Sequence, residues 1–148
     1  MAFRYPLQSI LRLRSSLERQ AEQRLFVLAG HVVGLRREIE GLERSELERK
    51  RTANVELRSG SFAATLQHLE ICAQATREKR KELQLQMVAA EHQRLAQLSI
   101  YLQARQKREI LSRLREQQKS EYELEVSRRE QQNADETHLL HTFFEPKD

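Results

Sequence analysis

A scarcity of helix-stopping residues is the feature that most limits how this chain can fold. Both prolines, Pro6 and Pro146, lie near the chain ends, and the clearest internal turn signal is Ser59-Gly60-Ser61. Proline interrupts the hydrogen-bond ladder of a helix, and glycine permits the backbone angles of tight turns. We therefore predict an all-α fold with one helix over about residues 6–58, a turn at 59–61 and a second helix over about 62–136.

The composition favours long helices over a thick globular core. Only 5% of the 148 residues are aromatic, Trp is absent and 32% are charged. These values are typical of coiled coils. A disordered chain can be equally polar, but it lacks the regular spacing of Leu, Ile and Val that this sequence shows. We interpret residues 1–148 as a single coiled-coil domain.

Apolar residues recur mainly three, four or seven positions apart along both predicted helices, which places them in one stripe on each helix. Each stripe is too narrow to stabilise its helix alone, so we expect the two stripes to bury each other in an antiparallel hairpin. The first stripe comprises Ile10, Leu17, Ala21, Leu25, Leu28, Val32, Leu35, Ile39 and Leu42, with a looser continuation at Leu47, Val55 and Leu57. The second comprises Phe62, Leu66, Leu69, Ala73, Leu83, Met87, Ala90, Leu95, Leu98, Leu102, Leu111, Leu114, Tyr122 and Val126.

Three glycines interrupt the first stripe's helix, at Gly30, Gly34 and Gly41. Each costs about 1 kcal/mol relative to alanine inside a helix. They mark either a close approach of the second helix or local weak points of the first, and the sequence leaves both interpretations open.

The second predicted helix is longer than the first. With the turn at Gly60, residue i faces about residue 120 − i, so residues after about 120 have no predicted partner within the chain. An isolated helix is marginal in water, so residues 121–136 either fray or bind another protein, and 137–148 are predicted to form a flexible tail. The exposed apolar residues of this overhang would be Tyr122, Leu124, Val126, Leu139, Leu140, Phe143 and Phe144.

The fold-back also gathers basic residues near the chain termini. Such a surface suits an acidic protein cavity, a nucleic acid or an anionic membrane, although a solvated helix face with local ion pairs is the simpler alternative. The overhang beyond it is rich in Glu and Asp. The basic residues are Arg12, Arg14, Arg19 and Arg24 on the first helix and Arg105, Lys107, Arg108, Arg113 and Arg115 on the second.

Catalytic and cofactor motifs are absent from the sequence, so we expect no enzyme activity, no cofactor and no small-molecule substrate. There is no phosphate-binding glycine loop, and His138 and His141 lack further metal ligands nearby. The single cysteine, Cys72, excludes an internal disulfide and suits a reducing compartment. Interleaved charges and few aromatics argue against nucleic-acid binding. No apolar run is long enough to span a membrane, which leaves at most a weak surface contact of the N-terminus.

Two segments carry a family resemblance. The opening YPLQSILRLRSSLERQAEQRL and the segment from Gln106 to Glu136, with its Arg129-Glu130-Gln131 and Asp135-Glu136 steps, resemble the flagellar export protein FliJ family. The length and the hairpin layout agree with that family. Stalk proteins of injectisomes are similar, and a generic coiled-coil scaffold or secretion chaperone is the alternative outside this class.

The resemblance implies a non-enzymatic stalk of the type III export apparatus. Such a protein would couple a hexameric export ATPase to the cytoplasmic domain of the export-gate membrane protein and assist the cycling of export chaperones. It would be cytoplasmic, at the inner face of the membrane at the flagellar base, and needed for flagellum assembly, motility and chemotaxis.

The resemblance also implies two sets of binding residues. Apolar residues at helical spacing early in the second helix would bind the export gate, or would simply close the hairpin; they are Phe62, Leu66, Leu69 and Ala73. The basic end and the overhang would bind the export ATPase. Its candidates are Arg12, Arg14, Arg108, Arg113, Arg115, Tyr122, Arg129, Gln131, Asp135 and Glu136.

Overall fold

Two long helices make up nearly all of the protein. The computed structural model describes residues 2–60 and 62–144, and within them α1 covers Gln8–Arg58 and α2 covers Phe62–Phe144. The two helices pack against each other and the described residues contain no strand. The predicted all-α hairpin with a longer second helix is confirmed.

The first helix begins just after Pro6. Residues 6 and 7 form a turn in which the Gln8 N–H donates to the Tyr5 carbonyl at 3.2 Å, and the Leu11 N–H donates to the Leu7 carbonyl at 2.9 Å. The missing N–H of proline costs nothing here, because the first N–H groups of a helix have no carbonyl partner within it.

The turn follows the predicted Ser-Gly step. The Ser59 hydroxyl and N–H both donate to the Glu56 carbonyl, at 2.7 and 3.0 Å, and Gly60 has a φ of 102°. A side chain disfavours such a φ, so glycine suits this position. Ser61 lies outside the described residues.

The second helix extends eight residues beyond its predicted end at 136 and reaches Phe144. The hydroxyls of Thr137 and Thr142 donate to carbonyls four residues earlier, at 2.7 and 2.6 Å. No proline occurs between Pro6 and Pro146, so nothing in this segment forces an earlier stop. Helical backbone therefore occupies 137–144 of the predicted tail, and 145–148 lie outside the described residues.

The chain divides into two compact units. We call Arg19–Leu102 the turn unit, and Met1–Glu18 with Gln103–Asp148 the terminal unit. Each unit contains segments of both α1 and α2. The single-domain interpretation stays a prediction.

The turn unit has a core built from both helices. Val32 and Leu35 of α1 are buried against Leu83 and Ala90 of α2, and the partly buried residues around them are Ile39, Leu42 and Met87. All seven belong to the predicted stripes. Because this core removes apolar surface of both helices from water, it stabilises them together.

Polar pairs across the turn unit follow the predicted register. Glu43 pairs with Arg80 at 2.7 Å, and the Gln97 amide donates to the Ala21 carbonyl at 3.2 Å. Near the turn, the Thr65 hydroxyl donates to a Glu56 carboxylate oxygen at 3.3 Å. In each pair, the residue of α2 lies within a few positions of the one predicted to face residue i of α1, which is residue 120 − i.

The buried positions of α1 keep a spacing of three and four residues where the apolar stripe does not. Beyond Leu42 this spacing reaches the half-buried Glu46 and Arg49 and the buried Ala53, whereas Val55, a predicted stripe residue, is 69% exposed. Arg49 donates to the hydroxyl of the buried Thr76 at 3.0 Å. The pattern of Leu and Val residues therefore predicted the wrong buried positions in this part of the interface.

In the terminal unit, the segment that precedes α1 lies along α2. Tyr5 is buried and its hydroxyl donates to the Leu111 carbonyl at 3.1 Å, while the rings of Phe3 and Tyr122 lie 5.7 Å apart. The prediction that residues after about 120 lack a partner within the chain is wrong for Tyr122. A non-helical chain advances up to about 3.3 Å per residue against 1.5 Å in a helix, so residues before α1 extend further along α2 than a helix would.

The interior glycines of α1 do not mark a close approach of α2. A Cβ at Gly30, Gly34 or Gly41 would have no atom within 4 Å apart from those of the adjacent residues and of the nearby α1 backbone. Of the two interpretations of these glycines, the structure therefore leaves only local weakening of the helix.

Replacing Gly34 with alanine is expected to raise the free energy of unfolding by about 0.5–1 kcal/mol, because alanine loses less backbone entropy in a helix and meets no clash. The matched control is Gly60→Ala, which should lower that free energy because of the positive φ. Urea denaturation followed by circular dichroism measures both changes. A destabilising Gly34→Ala would contradict the open space beside this glycine.

Candidate partner-binding surfaces

Arg108, one of the predicted ATPase-binding residues, is engaged within the terminal unit. Its guanidinium donates two hydrogen bonds to the Glu18 carboxylate, at 2.6 and 3.2 Å. These bonds hold the pKa of Glu18 below its ordinary value, burial opposes the shift, and the charges of Arg108 and Arg105 add to it. The predicted basic surface is therefore partly neutralised at this point.

The other predicted arginines of the terminal unit differ in exposure. Arg12 and Arg113 are exposed, whereas Arg14 and Arg115 are half-buried. Arg12 and Arg115, which belong to different helices, line one cavity of about 710 Å³. The structure thus brings together two residues that are about 100 positions apart in the sequence.

The segment of α2 after Val126 is the most exposed part of the chain. Every described residue from Ser127 to Phe144 is exposed, and Val126 is half-buried. Arg129 forms an ion pair with Glu125 of the same helix at 2.6 Å. The other predicted binding residues in this segment are Gln131, Asp135 and Glu136, and its apolar residues are Leu139, Leu140, Phe143 and Phe144.

In the turn unit, the four predicted gate-binding residues divide into two pairs. Phe62 is 62% exposed and Leu66 is 50% exposed, whereas Leu69 and Ala73 are half-buried. Leu69 lines an interhelical cavity of about 390 Å³. The first pair is therefore available to a partner, and the second is partly covered.

Further exposed apolar residues of the turn unit were not predicted as binding residues. Ile71 is exposed on α2, and Leu47 and Val55 are exposed on α1. Their spacing could have identified them. Buried residues recur every three or four positions along each helix, and none of these three residues occupies such a position.

The described residues hold no group of three metal-ligating side chains. His138 and His141 are exposed, and Cys72 lies 3.6 Å from His68 with its sulfur against the Nε2 atom. No helix in the described part of the chain is long and apolar enough to cross a membrane. What this chain presents is helix surface bearing charged and apolar side chains.

Comparison with known families decides the class of protein. A family model described as flagellar FliJ protein matches residues 3–146, which is nearly the whole chain. The chain belongs to the FliJ family. It is accordingly a component of the flagellar export apparatus, and the family is non-enzymatic. The resemblance that the N-terminal and Gln106–Glu136 segments indicated is confirmed. No curated protein and no solved structure matched the sequence.

Removing the carboxylate of Glu18 in this FliJ-family protein tests the partly buried ion pair of the terminal unit. Glu18→Gln should lower the free energy of unfolding near neutral pH on the order of 1–2 kcal/mol, because a two-bond pair with Arg108 is lost from a side chain that is only 15% exposed. The contribution of a carboxylate with a lowered pKa is present above its ordinary pKa and disappears as the pH falls through the folded-state pKa.

Urea denaturation of both proteins across that pH range measures the difference in their free energies of unfolding. This difference should shrink in acid, because Glu18 is then protonated and, like the glutamine of the variant, carries no charge. Glu22→Gln, at an exposed position four residues away, is the control and should change little. A difference that persists unchanged in acid would contradict the role of the charge.

Proposed function

We propose that this FliJ-family protein couples the flagellar export ATPase to the export gate, with the terminal unit binding the ATPase and the turn unit binding the gate. The family match over residues 3–146 carries the proposal, because it identifies the apparatus in which the partners act. In this role the protein catalyses no reaction. It links the partner bound at one surface to the partner bound at another.

The exposed α2 segment supports the ATPase-binding part. Beyond Val126 the described helix has no packing against α1, and an isolated helix is marginal in water. Its residues Leu139, Leu140, Phe143 and Phe144 are all more than half exposed, so a partner that covers them buries apolar surface and stabilises the helix. Arg12 and Arg113 are exposed cations of the same unit and add charge to this binding surface.

The pair Phe62 and Leu66 supports the gate-binding part. The two side chains lie one helical turn apart on α2 and are at least half exposed, although Phe and Leu are normally buried. Aromatic residues surrounded by apolar neighbours dominate the affinity of many protein interfaces. Leu69 and Ala73, being half-buried, contribute by holding the helix against α1.

Chaperone cycling, peripheral association with the inner face of the membrane, and a requirement in motility and chemotaxis belong to the same proposal. All of them follow from a protein that acts at the ATPase and the gate. Reversible binding of chaperones requires exposed helix surface, and both units present it.

Replacing the two exposed gate candidates tests one half of the proposal. Phe62→Ala with Leu66→Ala should weaken binding of the cytoplasmic gate domain by about tenfold or more, because two exposed apolar contacts are removed. Helicity and ATPase binding should be unchanged, and swimming in soft agar should fall. Leu85→Ala with Val88→Ala is the matched control, since both are exposed on α2 of the same unit. Equal gate affinity in the two double variants would refute the gate assignment.

Shortening α2 tests the other half. A chain ending at Val126 retains Tyr122 and its contact with Phe3, so the terminal unit should remain folded while the exposed segment is lost. We expect ATPase binding in a pull-down to drop by about tenfold or more, because the apolar surface available for burial is gone. Gate binding should be retained and serves as the internal control. Undiminished ATPase affinity would exclude the exposed segment as its binding site.

A further inference from the structure

A cavity of about 710 Å³ lies in the terminal unit beside the start of α1. Its volume is within the range of small-ligand sites, roughly 300–1,000 Å³. Tyr5 of the segment before α1 is buried and bonded to Leu111, which fixes one wall of the cavity against α2. The lining residues are Phe3, Arg4, Tyr5, Pro6, Gln8, Ser9, Arg12 and Arg115.

Among the described residues, the lining carries three positive charges and no acidic residue. Arg4, Arg12 and Arg115 form no ion pair with any carboxylate in the described part of the chain, in contrast to Arg108, which is neutralised by Glu18. Three guanidinium groups around one cavity repel each other unless an anion lies between them. No described residue of this unit supplies that anion.

One guanidinium has a specific unmet requirement. The Nε atom of Arg115 is buried and has no hydrogen-bond partner among the described residues. A buried charged donor without an acceptor costs free energy, and such atoms in native structures call for an explanation. This atom is covered in the structure, so an acceptor oxygen bound in the cavity would reach it only after the Arg115 side chain rotates.

The start of α1 adds positive potential to the same cavity. Gln8 and Ser9 belong to the first turn of α1 and line the cavity, and that turn contains no acidic residue. The N-terminal end of a helix carries a partial positive charge that attracts oxyanions, although the Gln8 N–H itself already donates to the Tyr5 carbonyl. The helix therefore acts in the same direction as the three arginines.

We propose that this cavity binds a phosphate-class oxyanion between Arg4, Arg12 and Arg115. Arginine donates paired hydrogen bonds to phosphate oxygens, and the charge of nearly −2 on a phosphate monoester offsets three cations better than a single carboxylate does. The phosphate is either free in solution or part of a lipid headgroup. The proposal does not depend on ATPase or gate binding.

Titration of the full chain with inorganic phosphate, at constant ionic strength in chloride, tests the site. We expect a rise in Tm and shifts of the Gln8 and Ser9 amide NMR signals, with affinity reduced roughly tenfold or more in Arg115→Gln, which removes charge-assisted hydrogen bonds. Arg12→Gln, at an exposed position, should behave similarly and covers the case in which Arg115→Gln fails to fold. Lys107→Gln, an exposed site of the same unit outside the cavity lining, is the charge-matched control and should bind normally.

Vesicles distinguish the two sources of phosphate. Binding to phosphatidic acid vesicles, whose headgroup is a phosphate monoester, but not to phosphatidylcholine vesicles, competed by inorganic phosphate and lost in Arg12→Gln, would identify a lipid headgroup. A response to inorganic phosphate without vesicle binding would identify a soluble ligand.

Two outcomes would overturn the proposal. One is an equal or absent phosphate response in the unmodified protein, Arg12→Gln and Lys107→Gln. The other is binding of a polyglutamate peptide that depends on Arg12 without any phosphate response, which would assign the cavity to carboxylates of a protein partner. Neither result affects the proposed binding of the ATPase, which is tested separately by the chain shortened at Val126.

Discussion

Burial of positions spaced three and four residues apart on α1 and α2 is the constraint on which both helices depend. Neither stripe is wide enough to stabilise a helix of this length in water, so the helices persist because each covers the other. The geometry fixes which positions are buried even where the residue is polar. Gln97, Arg108 and Arg49 occupy such positions, and each donates at least one hydrogen bond to the opposite helix. These hydrogen bonds reduce the cost of burying polar groups.

The arginines of the terminal unit differ in whether a described residue pairs with them. Arg108 has its counterion within the unit and contributes to folding, whereas Arg115 is half-buried with a donor that no described residue accepts. A count of arginines treats these side chains as equivalent. The structure separates a cation that is paired across the two helices from cations that have no ion pair among the described residues.

The proposed binding surfaces of this FliJ-family protein lie where the packing leaves α2 uncovered. The helix after Val126 and the pair Phe62 and Leu66 are exposed because α1 does not cover them. A protein built in this way recognises partners by adding to its helix packing, which suits a component of an assembly. Its proposed coupling role uses apolar and charged contacts of the same kind as those that fold the hairpin.

The sequence by itself determined the number of helices, the turn at Ser59-Gly60 and the approximate register, because helix breakers and stripe spacing act locally along the chain. It also carried the family resemblance. It did not determine which side chains meet: the contact of Phe3 with Tyr122 and the burial of Ala53 in place of Val55 required the structure. Those outcomes depend on the reach of a non-helical segment and on side chains of the facing helix, and neither is encoded in the spacing of one helix alone.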